Sequence, residues 1–215
     1  MPELAEPRRG RPGYDQAAVL DVAVAAFNEY GYDATSVAVL ADRLGISKSA
    51  IYHHFASKEA LLEMALDRAL TSLEGVLAEA DAAPGEQAAA LSAADRLDRV
   101  LRGAVHVLVE DLPSVTLLLR VRGNTDVERR ALARRRTFDR EVTALLTEAR
   151  EEGSLRSDID ARVVERLLFG MINSIVEWYR PGGPEDADRL ADDVIAVALD
   201  GLRTSAPRVS PPPAP

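Results

Sequence analysis

The stretch TSVAVLADRLGISKSAIYHHFASK, residues 35–58, determines how the rest of the chain is interpreted. In its first half, apolar residues recur at intervals of three and four positions. This spacing predicts a short amphipathic helix with Thr35 or Ser36 as its N-cap. Gly45 is expected to end that helix, and Ser47 is suited to cap a second one. Two short helices joined by a three-residue turn that contains glycine are typical of a helix-turn-helix.

The second of these helices has two unlike faces. Ala50, Ile51 and Phe55 are expected to point towards the protein interior. The other face carries hydroxyl, phenol, imidazole and ammonium groups, which suit base edges in a major groove and phosphate oxygens. From spacing alone a second interpretation stays open. Two short helices with a glycine turn occur in any α-helical protein, and Tyr52 and Phe55 would then be ordinary core aromatic residues. The predicted DNA-contacting residues are Thr35, Ser36, Ser47, Lys48, Ser49, Tyr52, His53 and Lys58.

The longer segment GYDATSVAVLADRLGISKSAIYHHFASKEALL, residues 31–62, resembles the N-terminal domain of TetR-like transcriptional repressors. The shared features are the small Ala41, the turn glycine Gly45, the cluster of an aromatic residue and histidines, and the Ser-Lys-Glu opening of the next helix. Val39 departs from the pattern, because such repressors often carry a charged residue there. The resemblance implies a DNA-binding transcriptional regulator.

The composition predicts an all-α protein with a substantial core. The chain has 215 residues, 47% of them hydrophobic, and no strand-like alternation persists along it. The absence of cysteine excludes disulfides, thiol catalysis and cysteine-bound zinc. With three histidines, no metal site is expected, and no cofactor is expected either. Because no secretion signal or long apolar span is visible, we expect a cytoplasmic protein with no membrane partner.

Averaged over the whole chain, the net charge of −9 opposes nucleic-acid binding, since phosphate contacts draw on lysine and arginine. A DNA-binding surface must therefore be a local patch. Residues 1–13 end in a basic cluster formed by Arg8, Arg9 and Arg11. This segment is either a solvated tail or a flexible arm whose arginines reach phosphates or a minor groove.

Helical patterns and their interruptions divide the chain into a DNA-binding domain, residues 14–60, and a ligand-binding and dimerisation domain, residues 61–203. A disordered tail is expected over residues 204–215. A first helix is expected from Asp15 to Gly31, and Ser57 is expected to cap a long helix. After a low-complexity loop at 81–93, further helices are predicted at about 95–110, 114–121, 126–151, 160–180 and 185–203.

The last two predicted helices have apolar stripes too broad for one neighbour. Ile175 and Ile195 lie within these stripes, and Gly170 would allow a close approach. Two such helices from each of two subunits would form a four-helix bundle, which predicts a homodimer. The alternative is that both helices pack only within one chain.

The segment GSLRSDIDARVVERLLFGMINSIVEWYRPGG, residues 153–183, resembles the effector domain of TetR-like repressors that respond to acyl-CoA thioesters of fatty-acid, phenylacetate and related catabolism. Independently, apolar residues of the predicted helices could line a pocket for an acyl or aryl chain, with Arg120 and Arg122 meeting coenzyme A phosphates at its mouth. An unrelated hydrophobic metabolite or drug is the alternative effector. The predicted effector-contacting residues are His106, Leu117, Arg120, Arg122, Phe138, Met171, Asn173 and Trp178.

Each of these residues also fits plain core or surface, and His106 alone on its helix fits a buried structural histidine. The arginine-rich helix at 126–151 is expected to be mainly a solvated, ion-paired face, with the remaining arginines available to an anionic ligand. A helical enzyme and a protein-binding adaptor are the rival functions. No Walker loop, dinucleotide fingerprint, HExxH or nucleophile elbow is present, so no catalytic residues are assigned.

Overall fold

The computed structural model of the protein describes residues 15–81 and 91–203. The predicted arm at 1–13, the predicted tail at 204–215 and most of the predicted loop at 81–93 lie outside these ranges. The described residues form an all-α fold, as the sequence predicts. Its helices are α1 Gln16–Tyr30, α2 Val37–Leu44, α3 Lys48–His54, α4 Lys58–Asp81, α5 Ala93–Glu110, α6 Leu112–Arg120, α7 Asp126–Glu151, α8 Ala161–Trp178 and α9 Ala187–Asp200.

Side-chain caps and glycines determine the helix ends in the N-terminal part of the chain. The Asp15 carboxylate accepts a hydrogen bond from the backbone N–H of Ala18 at 2.8 Å, and Gly31, with φ 85°, ends α1. The Ser57 hydroxyl accepts from the backbone N–H of Ala60 at 3.1 Å, which confirms it as the cap of α4.

The chain divides into two compact units between Ala65 and Leu66. The first unit contains α1 to α3 and the start of α4. Its interior is apolar and closely packed, because each of its helices contributes large side chains that are almost completely buried. These include Phe27, Leu40, Ile51, Phe55 and Leu61.

In the second unit α5 is the central helix, packed against α6, α7, α8 and α9. The remainder of α4 also approaches α5 closely at Gly103, where an added Cβ would lie 2.5 Å from a γ-carbon of Val76. A side chain at position 103 would therefore force the two helices or Val76 to move.

Two arginines tie α4 to its neighbours within this unit. Arg68 forms an ion pair with Asp111 at 2.7 Å and also donates to the buried Ser114 hydroxyl. Arg134 of α7 bridges Asp67 and Glu74 of α4 at 2.6 and 2.7 Å. These contacts hold α4 at two separate points. Over residues 15–81 and 91–203, no helix combines the length and apolar character that crossing a membrane needs.

Candidate DNA-binding surface and effector cavity

In the helix-turn-helix of the first unit, capping side chains and a glycine determine where each helix begins and ends. The Ser36 hydroxyl accepts from the backbone N–H of Val39 at 3.3 Å, so Ser36 rather than Thr35 is the cap of α2. Gly45 ends α2 in the left-handed conformation, with φ 63° and ψ 33°. Ser47 then caps α3 by accepting from Ala50 N–H at 3.2 Å. The predicted turn and both predicted helices are confirmed.

Thr35 has its partners inside the protein. Its side chain is completely buried, and its hydroxyl lies 2.8 Å from the Gly31 carbonyl oxygen and 3.3 Å from that of Ala26. These contacts join the end of α1 to the residue before the α2 cap. The structure therefore places Thr35 in the core of the first unit, the DNA-binding head, and not on its surface.

The two faces of α3 separate as the sequence predicts. Ile51 and Phe55 are buried, whereas the side chain of Tyr52 is 52% exposed. Exposed polar residues surround Tyr52, and the hydroxyl groups of Ser47 and Ser49 are 2.8 Å apart. The surface of the first unit that can meet a ligand here is formed by Ser36, Ser47, Lys48, Ser49, Tyr52 and His53. We call this set the α3 surface.

The cations of residues 15–65 differ in their partners. Arg43 pairs with Glu29, whose pKa is lowered by hydrogen bonds from Tyr30 and Arg43. The Lys58 ammonium donates to the Tyr32 carbonyl at 2.9 Å and lies 4.2 Å from the Tyr32 ring centroid. This contact accounts for a lysine in the first turn of α4 without a phosphate. For Lys48, the structure of residues 15–65 shows no ion pair or hydrogen bond.

The second unit contains a cavity of about 300 Å³ between α4, α5, α6, α7 and α8. Its walls are mainly apolar, and the rings of Phe138 and Phe169 meet edge to face with centroids 5.4 Å apart. Charged side chains interrupt the apolar wall on one side. The lining includes Leu70, Leu73, Glu74, Leu108, Leu118, Arg135, Phe138, Asp139, Glu165, Arg166, Phe169, Gly170 and Asn173.

Two carboxyl groups on the cavity wall are strongly influenced by burial. Burial raises the pKa of Asp139, against the opposing effect of Arg135 and Arg136. The pKa of Glu165 is also raised, first by burial and then by the nearby charge of Asp139, while Arg166 and Arg135 oppose the change. Both groups therefore take up protons more readily than exposed carboxyls do.

The structure brings two of the eight predicted effector residues to this cavity, Phe138 and Asn173. Leu117 is buried in α6. Arg120, the last residue of α6, and Arg122, which follows the helix, are exposed. The His106 imidazole lies 3.3 Å from the Asp188 carboxylate of α9. The remaining residues, Met171 and Trp178, lie respectively in a groove between α8 and α9 and at the half-exposed end of α8.

The sequence analysis did not predict the charged side of the cavity wall, formed by Arg135, Asp139, Glu165 and Arg166, although the sequence contains a signal for it. On α7, Arg135 precedes Phe138 by three residues and Asp139 by four. On α8, Glu165 and Arg166 precede Phe169 by four and three residues. Once Phe138 is assigned to a cavity, its neighbours at positions three and four residues away share its direction. The signal was weak because α7 carries arginines on several of its faces.

Helices α8 and α9 each carry exposed apolar side chains. Leu167 is 66% and Val197 71% exposed, and Val163 is also exposed. By contrast, Ile175 and Ile195 are buried within the chain at 1% and 6% exposure. The apolar side chains available to a partner are therefore Leu167, from the predicted stripe of α8, and Val197, which lies outside the predicted stripe of α9, rather than the two isoleucines.

Comparison with known proteins identifies the fold. Residues 19–65 match the model described as bacterial regulatory proteins, tetR family, and residues 90–202 match the model described as tetracyclin repressor-like, C-terminal domain. The HTH-type transcriptional repressor KstR2 of Rhodococcus jostii is 33% identical over 212 residues, covering 94% of this chain and 97% of that protein. The chain belongs to the TetR family.

Solved structures of other TetR-family proteins agree with this assignment. SCO3833 of Streptomyces coelicolor is 51% identical, with a TM-score of 0.76 over 86% of this chain and 91% of that one. AibR, solved in complex with isovaleryl coenzyme A and operator DNA, is 22% identical, with a TM-score of 0.69 over 85% of this chain and 96% of AibR. At that identity, AibR shows a shared fold.

Proposed function

We propose that this TetR-family protein is a transcriptional repressor that binds operator DNA as a homodimer and is released by an acyl-CoA thioester. The observation that carries the proposal is the course of α4. This helix begins directly after the helix-turn-helix at Lys58 and later contributes Leu70, Leu73 and Glu74 to the cavity wall. A ligand in the cavity therefore contacts the same helix that holds the DNA-binding head.

The α3 surface supplies the DNA contacts in this proposal. Lys48 and Ser49 stand on the exposed face of α3 and are assigned to base edges, whereas Tyr52 and His53 are assigned to phosphates. Since Lys48 has no partner among residues 15–65, its ammonium group is available to DNA without breaking an internal contact. Thr35 and Lys58 are left out, because their polar atoms are engaged within the head.

The DNA assignment is tested with purified protein and the DNA upstream of its own gene. We expect sequence-preferential binding whose affinity falls steeply as salt rises. Lys48→Ala should weaken binding and alter the preference among operator variants, while Tyr52→Phe should weaken binding by a similar factor on all sequences. A Lys48→Ala protein with unchanged affinity and preference at several salt concentrations would remove α3 from the groove.

Dimerisation in this proposal uses α8 and α9. Their exposed Leu167, Val197 and Val163 form an apolar surface that a second copy would cover. A single seven-residue recognition helix reaches few base pairs, so a dimer is needed for useful specificity. Pairing of two α8–α9 surfaces would produce the four-helix arrangement expected from the sequence.

The cavity supports an effector with an apolar chain. Leu108, Leu118, Phe138 and Phe169 offer such a chain an apolar environment, and Asn173 offers a polar contact for a thioester carbonyl. Occupation of the cavity is proposed to displace α4 and to separate the two recognition helices beyond successive major grooves. By linkage, operator DNA must weaken effector binding by the same factor, typically worth ~1–3 kcal/mol.

Release of a fluorescent operator duplex tests the effector class. Phenylacetyl-CoA should release the DNA, whereas phenylacetate and free coenzyme A should not do so at equal concentration. Effector affinity must also be measured with and without operator. Identical affinities in the two conditions would disprove the switch. Release by an unrelated hydrophobic metabolite, with no thioester binding, would disprove the ligand class alone.

A second candidate effector is a hydrophobic cation. Glu74, Asp139 and Glu165 all line the cavity, and a cationic ligand would pair with their carboxylates. Glu74 is already held by Arg134, which leaves Asp139 and Glu165 for such a ligand. A panel of quaternary ammonium compounds in the same release assay distinguishes this candidate from the thioester.

A further inference from the structure

A groove between α7 and α8 carries an unusual concentration of positive charge. Its arginines are Arg136 and Arg140 on α7 and Arg162 and Arg166 on α8, with Thr137 at their side. In each helix the two arginines are four residues apart, so their side chains are neighbours on one face. Like charges at this spacing repel each other, which disfavours the arrangement unless an anion compensates.

Several other arginines of this acidic chain are paired with carboxylates. With 35 acidic and 26 basic residues, the sequence offers carboxylates in excess. Arg68, Arg96, Arg102 and Arg134 each form ion pairs with them. Within residues 15–81 and 91–203, none of the four groove arginines forms a salt bridge, and Arg140 donates to the Thr137 hydroxyl at 2.9 Å.

The groove and the effector cavity share a wall. Asp139, Glu165 and Arg166 line both of them. A single ligand can therefore place an apolar end against Phe138 in the cavity and extend past this wall into the groove. Such a ligand would have one end that requires an apolar environment and another that requires cations.

We propose that the α7–α8 groove binds the phosphate groups of a nucleotide-bearing thioester whose acyl end occupies the adjacent cavity. This inference rests on the proposed function and assigns the coenzyme A half of its effector. The diphosphate and phosphomonoester of coenzyme A offer several anionic oxygens, and guanidinium groups bind phosphate oxygens in pairs of parallel hydrogen bonds. Four arginines on two facing helices are a matching set.

The two carboxyl groups of the shared wall reduce the positive potential but do not reverse it. Glu165 is buried, and Asp139 is partly buried beside Arg135 and Arg136. Burial disfavours the charged form of both groups. When protonated, each could donate a hydrogen bond to an amide carbonyl of the pantetheine arm as it crosses the wall.

Arg120 and Arg122, which the sequence analysis assigned to the phosphates, are outside both the cavity and the groove. They therefore supply a matched control. We compare the double variants Arg136→Gln with Arg162→Gln and Arg120→Gln with Arg122→Gln, because both remove two positive charges from exposed positions. Calorimetric titration uses three probes: phenylacetyl-CoA, phenylacetyl-pantetheine, which lacks every phosphate, and free coenzyme A.

The groove variant should bind phenylacetyl-CoA and free coenzyme A at least tenfold more weakly than the wild type, with unchanged affinity for phenylacetyl-pantetheine. The control variant should match the wild type with every probe. Thermal melting of the groove variant should be unchanged or slightly higher, since repulsion is removed. A merely structural role for these arginines would lower the melting temperature instead.

Several results would overturn the inference. One is an unchanged affinity of the groove variant for phenylacetyl-CoA, and another is an equal loss of its affinity for phenylacetyl-pantetheine. Weaker operator binding by the ligand-free groove variant would also overturn it. So would a loss of phenylacetyl-CoA affinity that is confined to the Arg120 and Arg122 variant. Absence of binding by all probes to the wild type would overturn it together with the thioester effector. Groove-dependent binding of phenylacetyl-CoA and free coenzyme A, with no release of DNA by phenylacetyl-CoA, would support the groove and disprove the effector.

Discussion

At the scale of single residues, the head separates positions that hold the fold from positions available to DNA. Thr35→Val removes a buried hydroxyl that contacts the Gly31 and Ala26 carbonyls, while nearly preserving the side-chain shape. The free energy of unfolding should fall by about 1–3 kcal/mol, because buried acceptors lose a donor. Chemical denaturation measures the loss. Operator preference of the folded protein should not change.

Lys48→Ala is the reciprocal control for Thr35→Val. Because Lys48 is exposed and shows no partner among residues 15–65, its removal should change the free energy of unfolding by less than about 0.5 kcal/mol. Its effect should fall on DNA binding. If both variants altered stability and DNA binding to the same extent, the division of the head into these two roles would be wrong.

Glu165 provides a pH-dependent prediction. Its folded-state pKa is raised above the ordinary value of 4.5, mainly by burial and then by Asp139, with Arg166 and Arg135 acting in the opposite direction. Folding therefore favours the protonated acid. The stability associated with that proton is present below the unfolded-state pKa and is lost as pH rises through the folded-state pKa.

Glu165→Gln, which stays neutral, should consequently melt at a higher temperature than the wild type at pH 7. The difference should shrink as the pH falls through the folded-state pKa and vanish near the ordinary carboxyl value. Melting curves recorded from neutral pH to about pH 4 test this expectation. An advantage of the glutamine variant that is independent of pH would show that burial of the carboxylate charge is not responsible.

At the scale of helices, the sequence contained enough information to place most boundaries. The range 126–151 predicted for α7 agrees with the structure, because Thr125 caps its start and Gly153 follows its end. The cavity wall was less predictable. Periodicity identifies the apolar stripe around Phe138, but it does not show which of the flanking arginines faces α8. The sequence therefore predicts Arg120 and Arg122 at the mouth of the effector pocket, whereas the arginines that line the cavity in the structure are Arg135 and Arg166.

The contact between α4 and α5 offers an element-scale prediction. Gly103→Ala places a methyl group 2.5 Å from a γ-carbon of Val76, and such overpacking typically costs ~1–3 kcal/mol, partly offset by the helix preference of alanine. Gly75→Ala is a matched control in the interior of α4, where no atom lies within 4 Å of the added Cβ. It should stabilise the protein by ~0.5–1 kcal/mol in the same denaturation assay. Equal effects would show that α4 and α5 are not in close contact there.

At the scale of the whole molecule, the decisive expectation is that two chains associate through α8 and α9. Leu167→Glu combined with Val197→Glu places charges on side chains that are 66% and 71% exposed in one chain, so the monomer should still fold. The charges would be buried at the proposed interface, where desolvation opposes association. Sedimentation should show a monomer, and operator binding should weaken because two linked heads no longer act together.

Two comparisons make this experiment specific. Ala144→Glu adds a charge to an exposed position of α7 and should leave both the sedimentation coefficient and operator affinity unchanged. Charged replacement of Ile175 or Ile195 is unsuitable, since both residues are buried in the monomer and a charge there would disrupt folding. If the double glutamate variant sediments as a dimer and binds operator normally, the exposed apolar surface of α8 and α9 is not the dimer interface. If it is a monomer that binds operator with full affinity, the requirement for two recognition helices is wrong, and a single α3 surface must provide the sequence preference.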